Sequence, residues 1–274
     1  MNPPSPRRRW PWESWRPWGS WRLGSWRLIG WWGVFRSLVV YWRPGRQRGL
    51  RRLYRDFVGP GDLVFDVGAH LGDRTRAFAS LGARVVALEP QPRLLPWLRR
   101  LVGRDPLVTV RAEAVGRAPG TAELAVSRRN PTVSTLAEEW RGGIGERNPG
   151  FRGVRWEETV EVPVTTLDAL IQEHGLPRFC KIDVEGFEEE VLAGLSRPVP
   201  GVSVEFVSGS LAVAVACIHR LEALGEYEFN AIPGEGREFH FPEWRGGQAL
   251  AEWLEAGGEG ISSGDLYARL RARE

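Results

Sequence analysis

The stretch Asp62-Leu63-Val64-Phe65-Asp66-Val67-Gly68-Ala69-His70-Leu71-Gly72-Asp73-Arg74-Thr75 constrains this chain more than any other. Residues 63–67 are an apolar run holding one acid, the pattern of a strand covered on both faces. A Gly-x-x-x-Gly turn follows, then a helix-forming run. Strand, glycine turn and helix is how an open α/β sheet offers backbone N–H groups to a ligand at a strand's carboxyl end. Asp66 is an acid at the end of that strand. A chain built on this unit needs alternating strands and helices, and a second acid at the tip of the next strand.

Both are present. Residues 84–88 read as the second strand, and Glu89 follows it, 23 residues after Asp66. An acid about 20 residues on, at that tip, bonds ribose hydroxyls in nucleotide-binding units. Residues 107–111 predict a third strand running toward Glu113, where base contacts are made. Residues 179–184 and 202–206 predict the fourth and fifth core strands, with helices over 46–58, 73–80, 92–101, 166–173, 187–194 and 211–224. Shorter strands are expected at 121–126 and 159–164. Residues 127–158 are polar and Gly-rich and read as an irregular acceptor-side loop, since connections this long are usually functional. Residues 227–232 and 237–241 predict a hairpin around Pro233-Gly234-Glu235-Gly236, and 248–255 and 263–272 predict C-terminal helices. The pattern is α/β: a doubly wound sheet with a reversed antiparallel edge hairpin.

The turn argues against phosphate. Gly68-Ala-His-Leu-Gly72 lacks the Gly-x-Gly-x-x-Gly spacing of pyrophosphate sites, and no Gly-Lys-Ser/Thr follows it. Asp66, Asp73 and Glu89 surround it instead, which favours a ligand bearing cations and hydroxyls.

Charge is uneven. Residues 1–42 hold seven Arg and one Glu, so +6 of charge lies there and −3 in the rest of a chain whose net charge is +3. A pI near 9.2 is therefore no argument for a nucleic-acid partner. Cys180 and Cys217 lie far apart in apolar runs, neither a disulfide framework nor a metal pattern. No apolar run is long enough to span a bilayer, and no signal h-region follows Arg7-Arg8-Arg9. The expectation is a cytoplasmic protein of two parts, an extension over 1–44 and a catalytic domain over 45–274. Nine of the 14 Trp lie in that extension. Two readings of it stay open: a poorly specified tail, or peripheral contact with a membrane surface.

Asp66-x-Gly68-x-His70-x-Gly72, Glu89-Pro90, Thr166-Leu167-Asp168 and Lys181-Ile182-Asp183-Val184-Glu185-Gly186 together resemble the FkbM family of S-adenosylmethionine-dependent methyltransferases. The resemblance covers about residues 45–245, with His70 where the family often carries Asn. It implies a class I methyltransferase (Rossmann-like) sheet of strand order 3-2-1-4-5-7-6, S-adenosylmethionine as cofactor, and O-methylation of a small-molecule or glycan hydroxyl. Asp66, Gly68, His70, Gly72, Glu89 and Glu113 are then the cofactor-binding candidates.

A hydroxyl is a poor nucleophile until its proton is accepted. Asp183 and Glu185 are the favoured bases, with Glu205 on the next strand a third acid. Strand alternation sets Lys181 on their face. Lys181 is the single Lys beside 36 Arg, which suits a compact ammonium orienting an acid. No clustered ligand set is evident, so no metal is expected. N- or C-methylation, or cofactor binding without turnover, are the alternatives.

Overall fold

β1 (Leu63–Val67) is buried along its whole length and lies inside a seven-stranded sheet. The other strands are β2 (Arg84–Leu88), β3 (Val108–Arg111), β7 (Phe179–Ile182), β8 (Gly201–Val207), β9 (Tyr227–Pro233) and β10 (Ser263–Leu270). The order is β3-β2-β1-β7-β8-β10-β9. β1 pairs in parallel with both β2 and β7, so the winding reverses there. β10 runs antiparallel to both β8 and β9. Numbered as core strands alone, this is the expected 3-2-1-4-5-7-6. A smaller sheet joins β4 (Ala114–Val115), β6 (Glu158–Thr165) and β5 (Gly120–Val126), in the order β4-β6-β5.

This computed structural model describes residues 35–43 and 45–271, and the readings for residues 1–34 fall outside them. Among the described residues no helix is long and apolar enough to cross a membrane.

The sheet has two apolar faces. Phe65 and Val67 pack with Cys180, Ile182, Leu192 and Ile218 on one side. Val64 packs on the other with Leu50 and Tyr54 of α2 (Arg46–Tyr54) and Phe78 of α3 (Asp73–Ser80). The helical spacing of Leu50, Leu53 and Tyr54 thus marks a real buried stripe. A short helix, α1, covers 35–41. Trp42 just beyond it donates its indole N–H to the Leu71 carbonyl at 3.2 Å.

Three expectations are corrected. Residues 263–270 are not a helix but β10, the strand that completes the reversed edge. Ala, Leu and Arg are good helix formers, yet the period here is two. Asp265 and Tyr267 take one face, Leu266 and Ala268 the other, and pairing on both sides overrides propensity. Residues 237–241 are consequently not β9's hairpin partner. They follow it loosely, with His240 N–H on the Ala231 carbonyl at 2.7 Å and Asn230 bonding both backbone groups of Phe241. The 127–158 segment is not wholly irregular, because it holds α5 (Glu138–Arg147). Its glycines argue against a helix, but Trp140 and Ile144, one turn apart, bury against Val207, Phe151 and Trp156.

Candidate active site

The carboxyl ends of β1, β2, β7 and β8 open into one cleft, where a doubly wound sheet binds ligands at its switch point. Asp66, Gly68, His70, Glu89, Glu113, Lys181, Asp183, Glu185 and Glu205 all line it. Gly72 does not.

The two glycines are needed for different reasons. Gly68 has φ +77°, and a Cβ there would sit 1.8 Å from the Asp183 carbonyl oxygen. The β1 turn and the end of β7 are thus pressed together. Gly72 also has φ +77°, but a Cβ there would sit 2.7 Å from Leu98, so it seats α3 against α4 (Leu95–Leu101). Gly72 therefore shapes the turn without bordering the cleft.

Asp66 is 1% exposed. Its Oδ2 accepts from Thr75 Oγ1 at 2.5 Å, while Oδ1 is buried with no partner among the described residues. Burial raises its pKa, against the lowering effect of Lys181. Glu89 accepts the His70 N–H at 2.9 Å on one oxygen and the Gln91 N–H at 2.8 Å on the other. Each oxygen retains a second acceptor position. Burial pushes Glu89 from 4.5 up to about 7, despite these two bonds. His70 stands in the left-handed region at φ 52°, a conformation that His adopts more readily than most residues. Burial lowers its pKa to about 4, so its ring is neutral at pH 7. Glu113 lies at the cleft edge, tied to Arg111 at 2.5 Å.

On the other wall, Lys181 Nζ donates to Asp183 Oδ2 at 2.7 Å from a side chain only 2% exposed. Burial opposes ionisation of both groups. Their mutual attraction prevails, raising Lys181 and holding Asp183 below the ordinary aspartate range. Burial first, and the Asp183 charge next, push Glu185 and Glu205 well up. One of three neighbouring acids is thus ionised while two resist it. Glu185 also has a left-handed backbone, φ 57°, a strained geometry of the kind found at working sites.

The turn carrying Glu185 is held by Glu188, the first residue of α7 (Glu188–Ala193). Glu188 Oε1 accepts the N–H groups of Val184 and Gly186 at 3.0 and 3.2 Å. Glu188, rather than Asp183, therefore braces the turn that leads into this helix. Asp168 likewise is structural, accepting the Ser196 N–H at 3.0 Å, and Thr166 is the cap of α6 (Leu167–His174).

Glu188→Ala leaves two part-buried N–H groups without their acceptor and should cost about 1–3 kcal/mol in denaturant unfolding. Burial holds Glu188 and Glu89 at about 7 and Asp265 at about 6. The folded state therefore binds protons more tightly than the unfolded one. The stability this gives is full at pH 4 and is lost as pH rises through about 7. Melting temperature should fall across that window, and fall less steeply in Glu188→Gln.

Sequence reasoning missed four residues of the cleft. Tyr41 reaches it from α1, with its ring 5.2 Å from that of His70. Arg74 of α3 faces Glu235, which follows β9, at 3.3 Å and Asp265 of β10 at 3.9 Å. Only β10's true place in the sheet brings these together, so no local signal could have found them.

The family description "Methyltransferase FkbM domain" matches residues 66–244, beginning at Asp66 itself. The chain belongs to the FkbM methyltransferase family. It is an S-adenosylmethionine-dependent methyltransferase, and the sheet order is that of class I enzymes. An 81-residue stretch is 38% identical to ribosomal RNA small subunit methyltransferase A of Phenylobacterium zucineum. That match spans 29% of this chain and only 27% of the relative. Among solved structures, precorrin-6y C5,15-methyltransferase of Geobacter metallireducens aligns at TM-score 0.40 and 14% identity. That alignment covers 82% of this chain and 87% of the other. The N-terminal domain of EvdMO1, solved in the presence of S-adenosylhomocysteine and D-fucose, aligns at 0.41 and 11%, covering 84% of each.

The residues present suit the cofactor. The unpartnered Asp66 Oδ1 can accept from an ammonium, and the second acceptor positions on Glu89 can accept from two hydroxyls, as the cofactor's amino-acid head and ribose would require. A carboxylate-lined cleft suits a sulfonium as it would not suit a phosphate.

Proposed function

We propose that this FkbM methyltransferase methylates a hydroxyl oxygen of a sugar, glycolipid or secondary metabolite. The observation that carries this reading is the Lys181–Asp183 pair. It sits on the wall of the cleft that Asp66 and Glu89 also line, ionised and aimed by a buried ammonium.

S-adenosylmethionine, when bound, supplies an electrophilic methyl on a sulfonium. The chain's own residues do the rest. Asp66 and Glu89 fix the donor. Lys181 holds Asp183 Oδ2, which leaves Oδ1 to take the acceptor's proton as the new O–CH3 bond forms and the S–CH3 bond breaks. Alignment of oxygen, methyl and sulfur supplies much of the acceleration. Glu185 is the alternative base. Its raised pKa makes it the poorer proton acceptor near pH 7.

The test is a panel of hydroxyl, amine and carbon acceptors with the product's methyl position read by NMR. Methyl on oxygen supports the reading, and transfer only to nitrogen or carbon overturns it.

We propose also that the N-terminal side contacts an anionic membrane surface. Phe35, Val39 and Val40 of α1 are 58%, 58% and 44% exposed, next to the Trp- and Arg-rich residues that precede them. Val39→Asp with Val40→Asp should cut flotation of the full chain with phosphatidylserine vesicles several-fold. Equal flotation would end this reading.

A further inference from the structure

The pairing of β7 with β8 creates a group that neither motif shows alone. Asp183, Glu185 and Glu205 each place a carboxylate oxygen within 4.8 Å of the other two. Glu185 Oε2 and Glu205 Oε2 are both shut off from solvent and have no hydrogen-bond partner among the described residues. Lys181 binds Asp183 alone. Nine carboxyl groups line the cleft. Arg46 and Arg74 pair with Asp73 and Glu235, Arg111 with Glu113 and Lys181 with Asp183, and among the described residues no ion pair reaches Glu185 or Glu205.

We infer that Asp183, Glu185 and Glu205 form a binding site for one hard divalent cation, Mg2+, Mn2+ or Ca2+. The chemistry is all-oxygen, which selects these ions over zinc or copper. Oxygens on opposite sides of a bound Ca2+ lie about 4.6–5.2 Å apart, and adjacent ones closer, so three donors within 4.8 Å share one coordination sphere. Mg2+ needs them a few tenths of an ångström nearer. Ionising all three acids this close together is opposed by their mutual repulsion, and orphaned oxygens inside such a group are costly. A cation among them removes both penalties. Three protein oxygens leave further coordination positions open, and these go to water or to the acceptor's oxygen. On the methyl-transfer reading, on which this last role rests, the ion holds the acceptor hydroxyl beside Asp183.

The test uses the full chain, stripped with chelator and titrated with Mn2+ alone while free Mn2+ is followed by electron paramagnetic resonance. One site per chain should appear, displaced by Mg2+ or Ca2+. Glu185→Gln and Glu205→Gln should each weaken it at least tenfold. Both variants should bind S-adenosylhomocysteine within threefold of wild type, which shows that they are folded. Wild-type protein that binds S-adenosylhomocysteine but takes up no Mn2+ at 1 mM would overturn the cation site and leave the methyltransferase reading standing. Mn2+ binding that both variants leave unchanged would overturn it equally. Transfer to oxygen is scored separately on the acceptor panel, so failure of that reading is seen independently.

Discussion

Asp183→Asn should lower kcat by about 10²–10⁴ while leaving S-adenosylhomocysteine affinity within threefold. Loss of a positioned proton acceptor typically costs that factor, about 3–5 kcal/mol of barrier. The substitution keeps size and polarity, and the Asp183 carbonyl that crowds Gly68 is backbone and unaffected. Because Lys181 holds Asp183 below the ordinary aspartate range, wild-type kcat should stay level as pH falls through 6. Lys181→Met is the companion variant. It leaves a buried carboxylate unpaired, so Asp183 titrates upward and the acid limb of the rate profile moves into the neutral range. Lys181 is on this account a positioning residue, and that moved limb is a signature a purely structural lysine would not give.

Glu89→Ala and Asp66→Ala should each weaken S-adenosylhomocysteine binding at least tenfold by calorimetry, about 1.4 kcal/mol. On the proposed reading Glu89 offers acceptors to both ribose hydroxyls, and among the described residues no other side chain bonds the His70 and Gln91 N–H groups it holds. Its effect should exceed that of Asp66, whose Oδ2 already serves Thr75. Because burial sets Glu89 at about 7, ionisation improves it as an acceptor, and affinity should rise with pH through that value. In Glu89→Gln this dependence should vanish.

What could be read in the sequence was local and periodic. The strand-turn-helix from Asp62 to Thr75, Glu89 at the second strand and the Lys181–Gly186 turn each write their geometry in consecutive residues. Their meeting in one cleft follows from the parallel sheet. What could not be read was long-range. β10 is built from residues that favour helix and becomes a strand only between β8 and β9. Arg74, Glu235 and Asp265 meet across elements up to 191 residues apart in sequence, and Tyr41 enters from outside the matched region. Spacing alone cannot say which side of the turn Gly72 presents to a cleft; a Cβ on it would meet Leu98 and Val102. Glu205 joins Asp183 only through strand pairing, so a carboxylate cluster was invisible in the separate motifs.

The most direct test of the central claim is a crystal structure of the full chain with S-adenosylhomocysteine. Both ribose hydroxyls should lie within about 3.2 Å of the Glu89 carboxylate, the ammonium on Asp66 Oδ1, and the sulfur toward the Asp183 side of the cleft. Ribose bound away from Glu89, or a sulfur turned away from Asp183, would contradict that claim.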